Sequence, residues 1–419
     1  MWDKLEKIWK AKDLRSKVIF VLVMLVIYRI SAHIPIPGVD LAALQNLFAS
    51  NQALGLLNLF SGGGMRNFSI VLMGVGPYIT SSIIFQLLAM IVPSLEEMQK
   101  DETGRQKITI WTRWLTVPLA FLQSYGMVAL LRQYLGDVSA FDIFSIAITT
   151  SAGTIFLMWL GELISEKKIG NGISMLIFAG IVARLPQDVL QTFSVYDPSK
   201  LFTILAFVIV AIITITGIVI INEGQRNIPV QHARQIRGNR TFGGSSTHLP
   251  LRVNMGGVIP IIFAISVILF PQMVAQFFVN AKTEWIAHFA AGVIKAWNNQ
   301  LIYGIMYFVL VFAFTYFYTE VIFHPERIAE NLQKQGAFIP GIRPGIHTQE
   351  YLSNSAYKII FVGALFLGLI AVLPLIIKAY TGIGSLAIGG TSILIVVAVV
   401  IDMVKQIEAQ LTMREYEGL

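Results

Sequence analysis

The chain has 419 residues, of which 55% are hydrophobic and only 13% are charged, and its mean hydropathy is +0.69. This composition indicates an integral membrane protein and excludes an ordinary soluble domain. The absence of cysteine excludes disulfides, thiolate catalysis and cysteine-bound metals, and the net charge of +7 predicts a basic surface that could meet anionic lipid, RNA or an acidic protein.

The first 17 residues are predicted to form an amphipathic helix on the inner leaflet of the membrane. Trp2, Leu5, Ile8 and Trp9 recur at helical spacing among six basic residues. The segment lacks the cleavage pattern of a signal peptide. We therefore assign residues 1–17 to a cytoplasmic helix that precedes the first membrane span.

Ten stretches with little or no charge follow, and each is predicted to be a transmembrane helix, since a span needs about 20 apolar residues. They are 18–28, 67–95, 114–131, 143–161, 169–183, 201–222, 253–281, 296–319, 359–377 and 379–401. Assigning alternate connections to the two sides places 23 of the 31 Lys and Arg on the side of the N-terminus and seven on the other, with Arg29 inside a helix. By the positive-inside rule, both termini are cytoplasmic.

These spans predict an all-α polytopic membrane protein with five transmembrane helices in each half. Because five is an odd number, the second half is inverted relative to the first. We place the first half at 18–191, the second half at 192–404 and a cytoplasmic tail at 405–419. The repeat is inferred from topology and from the glycine-rich openings of spans 2, 7 and 10, because the two halves share no residue-level similarity.

The run from Leu54 to Pro93 is longer than one span requires, and it is broken by Ser61-Gly-Gly-Gly64 and by Gly74-Val-Gly-Pro77. Irregular backbone at membrane depth is tolerated only where protein buries it or where it lines a water-filled path. The break therefore predicts a pore or a carrier site.

Aliphatic residues at helical spacing accompany the glycine breaks. Val75 and Ile79 stand four residues apart at the start of span 2, and Ile262 and Ser266 do the same in span 7. Such pairs face lipid by default. In a pore, however, a ring of aliphatic side chains is a constriction that resists the passage of ions.

Two long basic connections, at 223–254 and 324–355, are predicted to protrude into the cytoplasm. Their basic residues include Arg226, Arg234, Arg237, Arg240, Arg252, Arg327, Lys334 and Arg343. Ordinary inside-positive loops explain such residues by default. A tip rich in glycine and asparagine in the first loop and Pro340-Gly-Ile-Arg-Pro-Gly345 in the second predict stiff turns that present an arginine outward.

The spans carry little polar chemistry. Glu162, Glu223 and Glu320 lie at predicted cytoplasmic helix ends, where water reaches them, and this weakens an ion-coupled transporter. The six histidines stand singly without metal-ligand spacing, and neither a nucleophile elbow nor a phosphate-binding loop is present. We predict no catalytic site, no metal and no cofactor. A small-solute secondary transporter with a five-plus-five inverted repeat is the alternative to a channel.

Several long motifs resemble, in the same order, the SecY/Sec61-alpha family of translocon channels in its bacterial form. They are His33-Ile-Pro-Ile-Pro-Gly38, Leu59-Phe-Ser-Gly-Gly63, Pro77-Tyr-Ile-Thr-Ser-Ser-Ile-Ile-Phe-Gln-Leu-Leu88, Phe156-Leu-Met-Trp-Leu-Gly-Glu162, Gly170-Asn-Gly-Ile-Ser174, Ser246-Thr-His-Leu-Pro-Leu-Arg-Val-Asn254, Gly336-Ala-Phe-Ile-Pro-Gly-Ile-Arg-Pro-Gly345 and Gly389-Gly-Thr-Ser392. The resemblance covers essentially the whole chain.

The resemblance implies a passive protein-conducting channel, in which two five-helix halves surround a central pore and open like a clamshell. It assigns a pore ring to Val75, Ile79, Ile177, Ile262, Ser266 and Ile395. It assigns a plug, a re-entrant half-helix in the outer funnel, to about 56–66, with Phe60, Ser61, Gly62, Gly63, Gly64, Met65 and Arg66. It assigns a lateral gate between spans 2 and 7 to Thr80, Ile83, Gln86 and Phe270. It assigns docking of the SecA motor and the ribosome to Arg226, Arg234, Arg240, Lys334 and Arg343.

The same resemblance implies a location and partners. The channel would lie in the bacterial cytoplasmic membrane with SecE-like and SecG-like small subunits. Its further partners would be the SecA ATPase, the ribosome through ribosomal RNA and exit-site proteins, SecDF, YidC, signal peptides, nascent chains and membrane lipids. Unfolded secretory polypeptides would cross through the pore, and transmembrane segments would leave sideways into the lipid.

Overall fold

The computed structural model describes residues 9–37, 58, 61–131, 139–194, 201–232, 235–237, 240–242, 246–279, 283–381 and 389–417. Within these residues the fold is predominantly helical. The named strands lie in the two long loops that the sequence places in the cytoplasm.

The first half begins with a helix that continues through the predicted first span. The helices are α1 (Lys12–Ser31), α2 (Gly76–Ile91), α3 (Pro93–Lys100), α4 (Glu102–Leu131), α5 (Ala140–Glu166) and α6 (Gly172–Ser194). A proline stands in the first turn of α2 and of α3, where its missing N–H costs nothing. The chain bends by 112° between these two helices. A capping box of Ser139 and Asp142 begins α5.

The second half contains two helices that the sequence did not predict. The helices are α7 (Leu201–Glu223), α8 (Ile259–Phe278), α9 (Glu284–Asn298), α10 (Gln300–Ile322), α11 (Pro325–Lys334), α12 (Ile346–Thr381) and α13 (Gly389–Glu417). The unpredicted helices are α11, which lies in the second long loop, and α9, which packs against α8 and α10. Helix α9 is amphipathic, since Trp285 and Phe289 are exposed while Ala290 is buried.

A small antiparallel sheet joins the two long loops and corrects the purely helical prediction. Its strands are β1 (Gln225–His232) and β4 (Ser246–Arg252) from the first loop and β5 (Ala337–Phe338) from the second, in the order β4-β1-β5. A separate hairpin pairs β2 (Gln235–Arg237) with β3 (Arg240–Phe242). Ile228, Val230 and Leu251 point into a core shared with Leu352 of α12. The two loops therefore form one structured unit.

Three helices among the described residues are long and apolar enough to cross a membrane. They are Ala140–Glu166, the stretch Gln300–Lys334, whose apolar part is α10, and Ile346–Ile377, and the bent pair Gly76–Ile91 with Pro93–Gln99 makes a fourth if it counts as one span. Shorter apolar helices cover Gly172–Gln187, Val208–Glu223 and Ile259–Gln272. The chain is thus a multi-pass membrane protein, and the number of ten spans stays a prediction.

The predicted domain boundaries fall inside continuous helices. The boundary at 17 lies within α1, the boundary at 191 within α6, and the boundary at 404 within α13. Residues 1–8 of the predicted amphipathic helix lie outside the described residues. The tail after 404 therefore begins as a helical extension of the preceding span.

The main hydrophobic core crosses from one predicted half to the other. Within the first half, α1 packs on α5 and α6, and within the second half α10 packs on α12. Between the halves, α8 contacts α2 and α4, while α13 contacts α6. The buried cluster at these contacts includes residues of α1, α2, α6, α8 and α13. This cluster positions the candidate site.

Candidate functional site

The aliphatic residues predicted to form a pore ring meet in one buried cluster. Val75 precedes α2 directly, and Ile79, Ile177, Ile262 and Ile395 come from α2, α6, α8 and α13. All five side chains are buried and belong to the same hydrophobic cluster. Four helices, two from each predicted half, therefore contribute aliphatic side chains to the same buried cluster.

Ser266 differs from the other predicted ring residues. It lies one turn after Ile262 in α8 and is half-buried, and it is absent from the buried cluster. Its Oγ donates to the carbonyl oxygen of Ile262 at 3.0 Å. The hydroxyl is thus satisfied within its own helix, as is common for serine in apolar helices.

Glycines place the starts of α2 and α8 at the cluster. Gly74, before α2, has φ of +57°, and Gly257, before α8, has φ of +59°, which are values that other residues rarely adopt. A Cβ on Gly256 would stand 2.9 Å from side-chain atoms of Pro260 and Tyr318. The glycine breaks predicted from the sequence therefore turn the chain so that both helices begin at the cluster.

The described part of the predicted plug is a buried set of turns. Ser61, Gly62, Gly64 and Met65 are buried, and Arg66 is half-buried. Of residues 56–66, Asn58 alone among those described is helical, so the expected half-helix ends before Ser61. The reason is the left-handed backbone of Gly62 and Gly63, with φ of +64° and +87°. Phe60 lies outside the described residues.

The chain just after α1 pairs with the chain just after the plug turns. The amide of Ile36 donates to the carbonyl of Phe68 at 2.8 Å, and the amide of Ile70 donates to the carbonyl of Ile34 at 3.1 Å. The Arg29 guanidinium, which the sequence left inside a span without an assigned role, lies in the last turn of α1 and donates to the carbonyl of Gly62. The plug turns are therefore attached to α1.

The predicted lateral-gate residues belong to α2 and α8, which contact each other, and they differ in burial and hydrogen bonding. Thr80 donates to the carbonyl of Gly76 within α2, and Ile83 is buried in the main cluster. Phe270 of α8 is 55% exposed. The Nε2 of Gln86 donates to Ser82 Oγ at 3.0 Å, while its buried Oε1 accepts no hydrogen bond from the described residues.

A cavity of about 600 Å³ lies beside Gln86 between the two predicted halves. Residues of α2 and α4 line one side, and residues from the end of α10 through α11 line the other. Arg105 and Arg327 lie in its wall, and no Asp or Glu is among its lining residues. The cavity was not predicted from the sequence, because the residues on its two sides are more than 200 positions apart in the chain.

The predicted docking residues are exposed where the structure describes them. Arg226 is exposed on β1, and Arg343 is exposed in a turn between Gly341 and Gly345, whose φ values are +82° and +96°. Lys334, 67% exposed, forms an i,i+4 ion pair of 2.7 Å with Glu330. This pair lowers the pKa of the Glu330 carboxyl through a hydrogen bond and the charge of the ammonium.

Two predicted docking residues are described only in part or not at all. Arg234 lies outside the described residues, and Arg240 is described as backbone in β3.

The three carboxylates at helix ends have polar partners. Glu162 binds the Arg113 guanidinium at 2.6 Å, Glu223 binds the Lys405 ammonium at 2.9 Å, and Glu320 accepts from the Tyr357 hydroxyl at 3.4 Å. The described residues contain no group of three or more His, Cys, Asp or Glu arranged to hold a metal ion. Each of these carboxylates therefore binds a side chain of another helix.

Comparison with known proteins agrees with this architecture. The model of the SecY family matches residues 69–404. Protein translocase subunit SecY from Corynebacterium glutamicum is 44% identical over 98% of this chain and 98% of its own length. A solved protein-conducting channel superimposes with a TM-score of 0.65 at 19% identity, over 94% of this chain and 91% of that one. Sec61 in a canine ribosome-channel complex from the endoplasmic reticulum superimposes with a TM-score of 0.61 at the same identity and coverage. The chain therefore belongs to the SecY family.

Proposed function

We propose that the chain is the channel-forming subunit of a protein translocase, through which unfolded polypeptides cross the cytoplasmic membrane. The observation that carries this proposal is the cluster of Val75, Ile79, Ile177, Ile262 and Ile395 from both halves. Membership of the SecY family, whose relatives are named as translocase subunits, supports it. The channel is passive, and SecA or the translating ribosome supplies the driving force.

A hydrocarbon ring suits a channel for polypeptides better than a carrier for a small solute. It offers no fixed hydrogen-bond partner to a passing side chain, and it excludes water and ions when closed. A small-solute transporter needs polar groups that orient its substrate. Among the residues whose burial the structure describes, the buried polar side chains are those of Ser, Thr and Asn, and no Asp, Glu, Lys, Arg or His is buried, which favours the channel.

We assign ten spans in two inverted halves to the channel, with both termini in the cytoplasm. The contacts of α8 with α2 and α4 form the seam through which apolar segments leave for the lipid. Thr80, Ile83, Gln86 and Phe270 form the gate at this seam. The buried Gln86 oxygen accepts no hydrogen bond from the described residues, and we expect this to weaken the closed seam by about 1 kcal/mol.

The joined cytoplasmic loops form the docking surface for SecA and the ribosome. Arg226 and Arg343 are exposed, and the solved Sec61 channel of similar fold was described in complex with a ribosome. Arginine forks recognise phosphate and carboxylate groups. Arg234, Arg240 and Lys334 extend this surface, and SecE-like and SecG-like subunits complete the complex. SecDF, YidC, signal peptides, nascent chains and anionic lipids are its further partners.

The ring is tested by placing an amide in it. In the purified complex in proteoliposomes, Ile262→Asn should raise the potassium leak of the idle channel and allow export of a precursor with a defective signal sequence. Ile209→Asn, on the exposed face of α7, is the matched control and should change neither. If Ile262→Asn behaves like Ile209→Asn in both assays, these residues are not the constriction.

A further inference from the structure

Two consecutive residues at the end of α1 hold the plug turns by their backbone. Tyr28 is 1% exposed, and its hydroxyl donates to the carbonyl oxygen of Ser61 at 3.3 Å. Arg29 Nη1 donates to the carbonyl oxygen of Gly62 at 2.7 Å. The two acceptor carbonyls are consecutive in the chain, so α1 is hydrogen-bonded to the same turn at two points. A hydrogen bond from a guanidinium is stronger than a neutral one, and its short length agrees with this.

The turn at Gly62 lies too close to Tyr28 to accommodate a side chain. A Cβ built on Gly62 would stand 1.5 Å from the Tyr28 hydroxyl oxygen, so any side chain there would displace the tyrosine. Beside the tyrosine, a Cβ on Gly180 of α6 would stand 2.4 Å from the Gly62 Cα and 3.0 Å from the Tyr28 hydroxyl oxygen. The turn is thus packed directly against α1 and α6, and the glycines are required for that close approach.

We propose that Tyr28 and Arg29 form a latch that positions the plug in the closed channel, and that this latch must break before the plug moves. The inference rests on the proposed function and gives a role to an arginine near the end of an apolar helix. Arg29 is a positioning residue, since it acts on the plug and not on the passing polypeptide. Because both acceptors are backbone carbonyls, the latch does not depend on the side chains of the plug.

The absence of native cysteine allows a direct measurement of plug position. Met65 is buried beyond the latch, so a Met65→Cys variant should react slowly with a membrane-impermeant maleimide while the plug is seated. Adding Arg29→Gln should raise the labelling rate of the idle complex about tenfold, because a charge-assisted hydrogen bond is lost. Adding Tyr28→Phe, which removes only the hydroxyl, should raise it by a smaller factor of about five.

Ser31→Ala is the matched control. The Ser31 hydroxyl lies in the same turn of α1 but donates to the carbonyl of Ile27 in its own helix. This variant should label at the rate of the Met65→Cys parent. Labelling at the parental rate in both Arg29→Gln and Tyr28→Phe would overturn the latch.

A purely structural role for Arg29 has a different signature. It would lower the yield and thermal stability of the complex without changing the labelling rate of the folded fraction, and that result would also overturn the proposal. The isosteric Tyr28→Phe variant keeps the test decisive if Arg29→Gln does not fold. Failure of the latch leaves the Ile262→Asn result intact, whereas failure of the ring test with the expected latch kinetics would refute only the assignment of the constriction.

Discussion

Gly62 and Gly63 are neighbours with the same left-handed backbone but different surroundings, and this makes them a sensitive pair for mutation. A Cβ on Gly62 would meet the Tyr28 hydroxyl at 1.5 Å, whereas a Cβ on Gly63 meets nothing within 4 Å. Alanine at either position carries the left-handed penalty of about 1–2 kcal/mol. At Gly62 it also displaces Tyr28 and removes a hydrogen bond worth about 1 kcal/mol.

We therefore expect Gly62→Ala to weaken plug seating by about 2–3 kcal/mol, a shift of about 30- to 150-fold, and Gly63→Ala by only the backbone part. Maleimide labelling in the Met65→Cys background measures both shifts. The effect of Gly62→Ala should shrink when Tyr28→Phe is already present, because the displaced hydroxyl is gone. Equal labelling rates for Gly62→Ala and Gly63→Ala would refute the close packing of Gly62 against Tyr28.

Two further predictions concern the two long loops. Arg343→Glu should slow SecA-driven or ribosome-driven translocation severalfold without lowering the melting temperature of the complex. The control is Lys358→Glu, at an exposed position of α12. Normal translocation by Arg343→Glu would show that Arg343 is not part of the docking surface. The pKa of Glu330 lies below its ordinary value of 4.5 because Lys334 is its partner. The ion pair therefore stabilises α11 at pH values above 4.5, and this stabilisation is lost as the pH falls through the lowered pKa. Lys334→Gln should return the pKa of Glu330 toward 4.5, as measured by carboxyl NMR titration, and an unchanged titration would contradict the ion pair.

The starts of the two helices at the buried cluster, α2 and α8, could be predicted from the sequence. Glycine breaks at 74 and 256–257 indicated where the chain must turn, and the structure starts α2 and α8 just after them. Backbone conformation at glycine is a local property, so it can be read from sequence. In the plug, the break that the sequence marks at Ser61-Gly-Gly-Gly64 is present as left-handed backbone at Gly62 and Gly63, whereas the half-helix over 56–66 was assigned by the family resemblance and does not continue through these glycines.

The elements that were missed depend on long-range contacts or on weak local signals. The alternation of exposed Asn227 with buried Ile228 and Val230 is strand-like, but the pairing partner of β1 lies across the loop. At 15 residues α9 is too short for a span, and its charged residues at 284 and 295 lie near its two ends. The partner of Arg29 is a backbone carbonyl 33 residues away, which no side-chain pattern reveals.

The contacts of the plug turns imply an order of events during opening. Tyr28 and Arg29 belong to α1, Gly180 belongs to α6, and a Cβ on Gly153 of α5 would stand 2.0 Å from the carbonyl oxygen of Ile70. All of these helices lie in the first half, so the latch and these close approaches attach the plug turns and the chain after them to that half. The ring, in contrast, needs α8 and α13 from the second half. Separating the halves at the contact of α8 with α2 and α4 therefore breaks the ring without straining the latch. We expect the seam to widen before the plug is released, which keeps the outer funnel obstructed while an apolar segment enters the gate.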